Sequence, residues 1–107
     1  TIDFARNVKL LFEKEYWGLY NLVCKGQTGR MEVSEELVRL LGLKDKVKIT
    51  EVTSEHFKDT YFAQRPPCER LVNKKLELRG INIMRDWKVA LQEYLDMYYK
   101  DYLKDKF

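Results

Sequence analysis

The chain has little of what builds a metal site, a disulfide framework or a membrane anchor. Its 107 residues include two cysteines, Cys24 and Cys68, and one histidine. Because neither cysteine has a second ligand at the close spacing of a zinc site, we expect no metal centre, no disulfide framework and a reducing compartment. No apolar run approaches the roughly 20 residues that cross a bilayer, and the first residues lack the basic and then apolar pattern of a signal peptide. The sequence therefore predicts a cytoplasmic protein with no membrane partner.

Clustered positive charge is also absent. Twenty Lys and Arg residues stand against seventeen Asp and Glu, which gives a formal net charge of +3, and the two signs are interspersed. A nucleic-acid-binding protein would concentrate its basic residues in a patch, so we expect no nucleic-acid partner. The 45% hydrophobic content is enough for one small core and predicts a single domain over 1–107. The chain enters a helical pattern at Thr1 without an initiator methionine, which we interpret as the start of a fragment.

Proline occurs at two positions, Pro66 and Pro67. Proline fixes its own φ and moves the preceding residue out of the helical region, so residues 64–67 are expected to be extended. Arg65 lies on this stiff backbone, and a planar guanidinium binds phosphate or carboxylate oxygens through two parallel hydrogen bonds. From the segment alone, Arg65 is either an anion ligand or a residue that pairs with a nearby carboxylate in a surface loop.

Two periodicities predict an α+β fold, a small helical lobe with two or three short strands. Apolar residues at helical spacing predict three main helices, over 1–14, 30–41 and 86–104. Short apolar or alternating runs predict strands at 19–24 and 47–52, with a brief third at 71–72. The first helix should bury the face that carries Phe4, Val8 and Phe12. Gly42 and Gly80 should end helices, because glycine adopts the left-handed backbone that follows a last helical turn.

Several short patterns suggest chemistry but have simpler explanations. Gly26 to Gly29 matches the GxxG loop of KH domains, although a turn that leads from a strand into a helix explains it as well. Tyr102 and Lys106 have the spacing of the reductase proton donor, but no glycine-rich dinucleotide loop precedes them. The single histidine, His56, is expected to be a solvated surface residue, and the tyrosines of the last helix are expected in a core or an interface. No catalytic constellation follows from these residues.

A collinear set of short blocks carries a family resemblance. The blocks are GLYNL at 18–22, LLGL at 40–43, the extended 47–52, AQRP at 63–66, LVNKKL at 71–76 and MRDWKVALQEYL at 84–95. Together they resemble the C-terminal part of the dTDP-4-dehydrorhamnose reductase family, extended short-chain dehydrogenases/reductases that act on nucleotide sugars. The resemblance extends from 1–5 to Leu95.

The resemblance implies a substrate-binding lobe whose Rossmann domain would precede Thr1. That domain would hold NAD(P)H and the catalytic Ser/Thr, Tyr and Lys, so this chain would carry no cofactor and no catalytic residue, and would be inactive alone. In related nucleotide-sugar epimerases the arginine of the Arg-Pro pair contacts the substrate diphosphate, and Arg65 matches that position. The expected ligand is therefore a nucleotide sugar of the dTDP class, and the expected reaction of the whole enzyme is the reduction of a 4-keto deoxysugar nucleotide in dTDP-rhamnose biosynthesis.

Two other functions remain open. One is a non-catalytic regulatory or interaction module on the same scaffold, with the tyrosine-bearing last helix as its partner surface. The other is a KH-like RNA-binding domain that uses 26–29. In the reductase interpretation, 19–24 would be an added strand of the Rossmann sheet, and its edge is exposed when that sheet is missing. We therefore expect the chain to cover this edge by forming a homodimer or by exchanging strands.

Overall fold

The computed structural model describes residues 2–60, 63, 66–101 and 106, and within them the regular structure is helical. The helices are α1 (Ile2–Glu13), α2 (Arg30–Leu40), α3 (Lys74–Leu78) and α4 (Trp87–Tyr98), with one turn of 3₁₀ helix at Ser54–Phe57. The three main helices are therefore confirmed in type and position. The last one is shorter than predicted, because α4 ends at Tyr98, and residues 102–105 lie outside the described part of the chain.

Two glycines end helices as predicted. Gly42 follows α2 with φ 67°, and Gly80 follows α3 with φ 65°. In each case the next residue turns back onto the helix: the N–H of Leu43 donates to a carbonyl of α2 at 2.9 Å, and the N–H of Ile81 donates to one of α3 at 3.0 Å. Both of these residues are buried. The helix ends thus direct Leu43 and Ile81 into the core.

The predicted α+β class is wrong. The described residues form no sheet, and their strand-like pairing is one isolated parallel bridge between Lys25 and Asp86. In this bridge the N–H of Lys25 donates to the Arg85 carbonyl at 2.8 Å, and the N–H of Trp87 donates to the Lys25 carbonyl at 3.2 Å. The predicted strands at 19–24, 47–52 and 71–72 are irregular segments.

An asparagine side chain takes the place of a neighbouring strand at 19–24. Oδ1 of Asn73 accepts a hydrogen bond from the N–H of Val23 at 2.9 Å, and Nδ2 of Asn73 donates one to the carbonyl of Val23 at 2.7 Å. A carboxamide carries a donor and an acceptor side by side, so it satisfies both backbone groups that a strand would pair. Because its N–H and its carbonyl are already hydrogen-bonded within the chain, Val23 has neither group free to pair with a strand of another molecule. The homodimer through 19–24 stays a prediction.

A second asparagine acts in the same way on the segment before α4. Asn7 of α1 donates to the carbonyl of Ile81 at 2.9 Å and accepts from the N–H of Ile83 at 3.2 Å. Between these two residues, Asn82 accepts from the Nδ2 of Asn73 at 3.2 Å. Three asparagine side chains therefore link α1, the segment that contains Val23 and the segment before α4.

The core is small, and the inward face of α1 is polar. The buried hydrophobic residues are Leu43, Leu76, Ile81, Met84 and Leu95. The predicted apolar face of α1 is only partly buried: Val8 is half-buried, but Phe4 is 50% exposed and Phe12 is 61% exposed, whereas Asp3 is 5% exposed. The cause is an ion pair, because both carboxylate oxygens of Asp3 lie within 3.1 Å of the Nε of Arg85. This pair and the Asn7 bonds turn the polar face of α1 towards the segment before α4.

Candidate functional site

A groove of about 620 Å³ lies between the first half of the chain and the start of α4. Its walls are α2, the two residues Gln27 and Thr28 ahead of that helix, the loop around 44–49, and the first residues of α4. Small-molecule sites typically enclose roughly 300 to 1,000 Å³ and combine apolar surface with a few polar groups. The groove therefore has the size of a ligand site.

Gly26 packs closely against the start of α4, which forms one wall of the groove. Gly26 has φ 84°, and a Cβ atom on it would lie 2.9 Å from Oδ2 of Asp86 and 3.1 Å from Cδ1 of Trp87. Asp86 caps α4 by accepting from the N–H of Lys88 at 2.9 Å. Only glycine permits both the positive φ and this close approach, so the residue type at position 26 sets the position of the Trp87 indole.

The loop from Gly26 to Gly29 leads into α2. The N–H of Gly29 donates to Oε2 of Glu32 at 2.9 Å, which satisfies one of the unpaired donors at the start of the helix. An irregular segment precedes the loop, whereas a KH domain would place a helix there. As predicted, the loop leads into a helix. The strand that was predicted before the loop is not formed. This arrangement gives the KH-like alternative no support.

The groove is charged but balanced. Its ionisable side chains are the acidic Glu32, Glu35 and Glu36 and the basic Arg39, Lys44 and Lys88. One pair is internal, because the guanidinium of Arg39 donates to the two carboxylate oxygens of Glu36 at 2.8 Å and 2.6 Å. This hydrogen bond lowers the pKa of Glu36 and raises the pKa of Arg39. Equal numbers of acidic and basic groups leave the lining without a net formal charge.

Trp87 supplies the aromatic surface of the groove. It is half-buried, and the ammonium of Lys88 lies 5.5 Å from its ring centroid. In the sequence, Trp87 stood out only as part of the block at 84–95 that carries the family resemblance. An aromatic residue directly after the capping Asp86 was the available signal, but its role depends on Gly26, which is distant in sequence.

Arg65 lies outside the described residues, as do the neighbouring 61, 62 and 64. The segment that follows the two prolines does reach the groove, because Nη1 of Arg70 hydrogen-bonds to Oε1 of the lining residue Gln27. The role of Arg65 as an anion ligand stays a prediction.

Of the other sequence candidates, the described residue His56 does not line the groove. His56 is exposed on the 3₁₀ helix, where its ring is 5.0 Å from that of Phe57. Tyr102 lies outside the described residues, so its spacing to Lys106 has no structural counterpart here. Among the described residues, no group of His, Cys, Asp and Glu side chains could hold a metal ion. None of the described helices combines the length and the apolarity needed to cross a bilayer.

Comparison with known families gives a match that includes both walls of the groove. The RmlD substrate binding domain matches residues 3–100 of the sequence. The chain belongs to this family. The match confirms the resemblance to dTDP-4-dehydrorhamnose reductases, and it places the whole groove inside the RmlD substrate-binding domain. No curated protein and no solved structure matches the chain.

Proposed function

We propose that this RmlD substrate-binding domain is the nucleotide-sugar lobe of an NAD(P)-dependent reductase that acts on a 4-keto deoxysugar nucleotide of the dTDP class. The proposal is carried by the family match over 3–100, which contains a groove of ligand size. The lobe binds and orients the substrate, and a Rossmann domain outside these residues performs the reduction. A Rossmann lobe is required because the loop at 26–29 follows no strand and lacks the G-x-G-x-x-G spacing of a dinucleotide site.

In this proposal Arg65 binds the substrate diphosphate. A guanidinium forms two parallel, charge-assisted hydrogen bonds to phosphate oxygens, and such bonds are stronger than neutral ones. The balanced lining of the groove supplies no excess positive charge for two phosphates. A cation from outside the groove lining is therefore needed, and the proposal assigns this role to Arg65.

Calorimetric titration of the chain with a dTDP-hexose tests this function. We expect saturable binding, and we expect Arg65→Ala to weaken it by about 10- to 100-fold, the equivalent of about 1.5 to 3 kcal/mol for hydrogen bonds to a charged group. Arg6→Ala is the matched control, because Arg6 is half-exposed on α1 and does not line the groove. The function is contradicted if dTDP-hexose does not bind, and the role of Arg65 is contradicted if both variants bind like the wild type.

Kinetics in the complete reductase give a second measurement. Arg65→Ala should raise the KM for the nucleotide sugar and change the affinity for NAD(P)H much less, because the cofactor binds in the other lobe. Arg65→Lys should fall between the wild type and Arg65→Ala, since lysine keeps the charge but loses the planar pair of donors.

One observation favours the regulatory or interaction module as a second candidate. The last turn of α4 exposes the side chains of Tyr94, Met97 and Tyr98 on one side of the helix, which a partner protein would cover. A charge at the centre of such a surface would abolish association, so Tyr98→Asp should dissociate a complex if this candidate is correct. Under the reductase proposal, the same variant should leave dTDP-hexose affinity unchanged.

A further inference from the structure

We propose that a second copy of this chain docks on the surface formed by the end of α1 and the outer face of α3, and that a two-fold axis there pairs Glu15 of each copy with Arg79 of the other. This surface, the α1–α3 patch, consists of Phe12, Glu15, Trp17, Leu19, Leu78 and Arg79. None of these residues lines the groove, so the patch is separate from the proposed substrate site.

The apolar side chains of the patch are strongly exposed. Its four large hydrophobic residues are between 61% and 88% exposed: Phe12, Trp17, Leu19 and Leu78. One exposed apolar side chain is ordinary on a protein surface, but a contiguous group of them marks an interaction site. Contact with a second protein surface would remove this area from water, which favours association.

Contacts between the two segments make these side chains neighbours. The ring centroids of Phe12 and Trp17 are 5.4 Å apart, and Leu19 lies two positions further along the chain. The ammonium of Lys75 on α3 donates to the Leu19 carbonyl at 3.3 Å. Leu78 follows Lys75 by three positions, so the two side chains share one face of α3. The patch is therefore one surface to which α1 and α3 both contribute.

The charges of the patch fit a second copy. The guanidinium of Arg79 lies 4.3 Å from the ring centroid of Tyr16, the residue after Glu15. Neither Glu15 nor Arg79 forms an ion pair among the described residues. A patch with charges of one sign would repel its own copy, whereas an isologous interface brings together two identical surfaces. With an unpaired carboxylate and an unpaired guanidinium near the axis, each copy supplies the charge that the other needs.

The turn that carries Glu15 and Trp17 is already ordered. Glu15 has φ 53°, in the left-handed region that residues other than glycine rarely adopt. The N–H of Tyr16 donates to the Leu11 carbonyl at 3.0 Å, and the N–H of Trp17 donates to the Glu15 carbonyl at 3.1 Å. A surface that is ordered before it binds loses less entropy on association. The strained turn therefore holds the carboxylate and the indole ready for a partner.

Sedimentation equilibrium of the chain over a range of concentrations tests the interface. We expect a reversible equilibrium between monomer and dimer. Leu78→Asp should raise the dimer Kd by about 10- to 100-fold, because it would bury an unpaired carboxylate. Val89→Asp is the matched control: Val89 is an exposed apolar residue on α4, so its replacement should leave the Kd unchanged. The circular dichroism spectrum of each variant shows whether it is folded.

A charge exchange tests the arrangement of the two copies. Arg79→Glu and Glu15→Lys should each weaken the dimer, because each places like charges opposite one another. The double variant recreates the pair with its signs exchanged and should restore dimerisation. If the double variant is weaker than either single variant, Glu15 and Arg79 do not meet across the axis and the proposed arrangement is wrong.

The emission of Trp17 gives a readout that leaves the patch intact. The chain has two tryptophans, so Trp87→Phe makes Trp17 the only reporter. Its emission should shift to shorter wavelength as the dimer forms. A chain that stays monomeric at every concentration overturns the inference, and so does a dimer that Leu78→Asp does not weaken. If the complete reductase is a monomer in which Trp17 is shielded from quenchers, the other lobe covers the patch and the second copy is the wrong occupant.

Discussion

Replacing Asn73 should destabilise the fold. Its carboxamide is 5% exposed and forms three hydrogen bonds, two with the backbone of Val23 and one with Asn82. Asn73→Ala leaves the N–H and the carbonyl of Val23 without these partners, whereas Oδ1 of Asn82 still accepts from the N–H of Met84 at 3.3 Å, and each unpaired group costs about 1 to 3 kcal/mol when buried. Val23 is only half-buried, so water can replace part of the loss, and the low end of about 1 kcal/mol per group is appropriate, about 2 kcal/mol in total.

Thermal unfolding followed by circular dichroism measures this cost. At about 2.1 cal/mol/K per residue, 107 residues give an unfolding entropy of about 225 cal/mol/K, so a loss of about 2 kcal/mol lowers Tm by about 9 °C. Asn21→Ala is the matched control. Asn21 is exposed and makes one bond to the carbonyl of Val72 at 3.2 Å, so its loss should cost about 0.5 kcal/mol or less, about 2 °C. Equal shifts for the two variants would refute the reasoning.

A third variant separates the two functions of the carboxamide. Asn73→Asp keeps an acceptor for the N–H of Val23 but removes both donors, and it places a carboxylate against the Val23 carbonyl and Oδ1 of Asn82. It should therefore cost at least as much as Asn73→Ala at neutral pH. If Asn73→Asp were neutral, the donated bonds would contribute nothing to stability.

Two further predictions concern the groove and the proline segment. Gly26→Ala should lower the free energy of unfolding, measured in urea, by about 1 to 3 kcal/mol, because alanine is strained at this positive φ and its Cβ would clash with Trp87. Gly42→Ala is the control: it has a positive φ but open space around it, so it should lower the free energy of unfolding by only about 1 kcal/mol. The exposed thiol of Cys68 has its pKa lowered by the backbone N–H and then the side chain of Arg70, so its alkylation by iodoacetamide, followed by mass spectrometry, should begin at lower pH than for an ordinary cysteine. Arg70→Ala keeps the backbone bond and should move this onset only part of the way back; an unchanged onset would contradict the contribution of the side chain.

The helices could be predicted from the sequence because their signals are local. Gly42 and Gly80 lie directly after the helices that they end, and Asp86 directly precedes the helix that it caps. A left-handed backbone or a capping carboxylate acts within one turn, so neighbouring residues contain the necessary information.

The strands could not be predicted correctly because pairing depends on distant residues. The segment 19–24 has strand-like composition, but its backbone bonds to Asn73, fifty positions away. The same holds for α1: its apolar spacing suggested the face of Phe4 and Phe12, and Arg85, 82 positions from Asp3, selected the polar face instead. The groove could not be predicted for the same reason, because Gly26 and Trp87 become neighbours only in the folded chain. The family resemblance, by contrast, needed only the order of the blocks.

The asparagine bonds also connect stability to the groove. Val23 is held by Asn73 three residues before Gly26, where a Cβ atom would lie only 3.1 Å from Cδ1 of the Trp87 indole. Hydrogen bonds fix direction as well as distance, whereas apolar burial is non-directional and tolerates sliding. Because few apolar residues are buried in the described part of the chain, directional bonds are needed to keep the segment before α2 in register with the start of α4. Loss of Asn73 should consequently lower both Tm and the affinity for dTDP-hexose, while the loss of exposed Asn21 should lower neither appreciably.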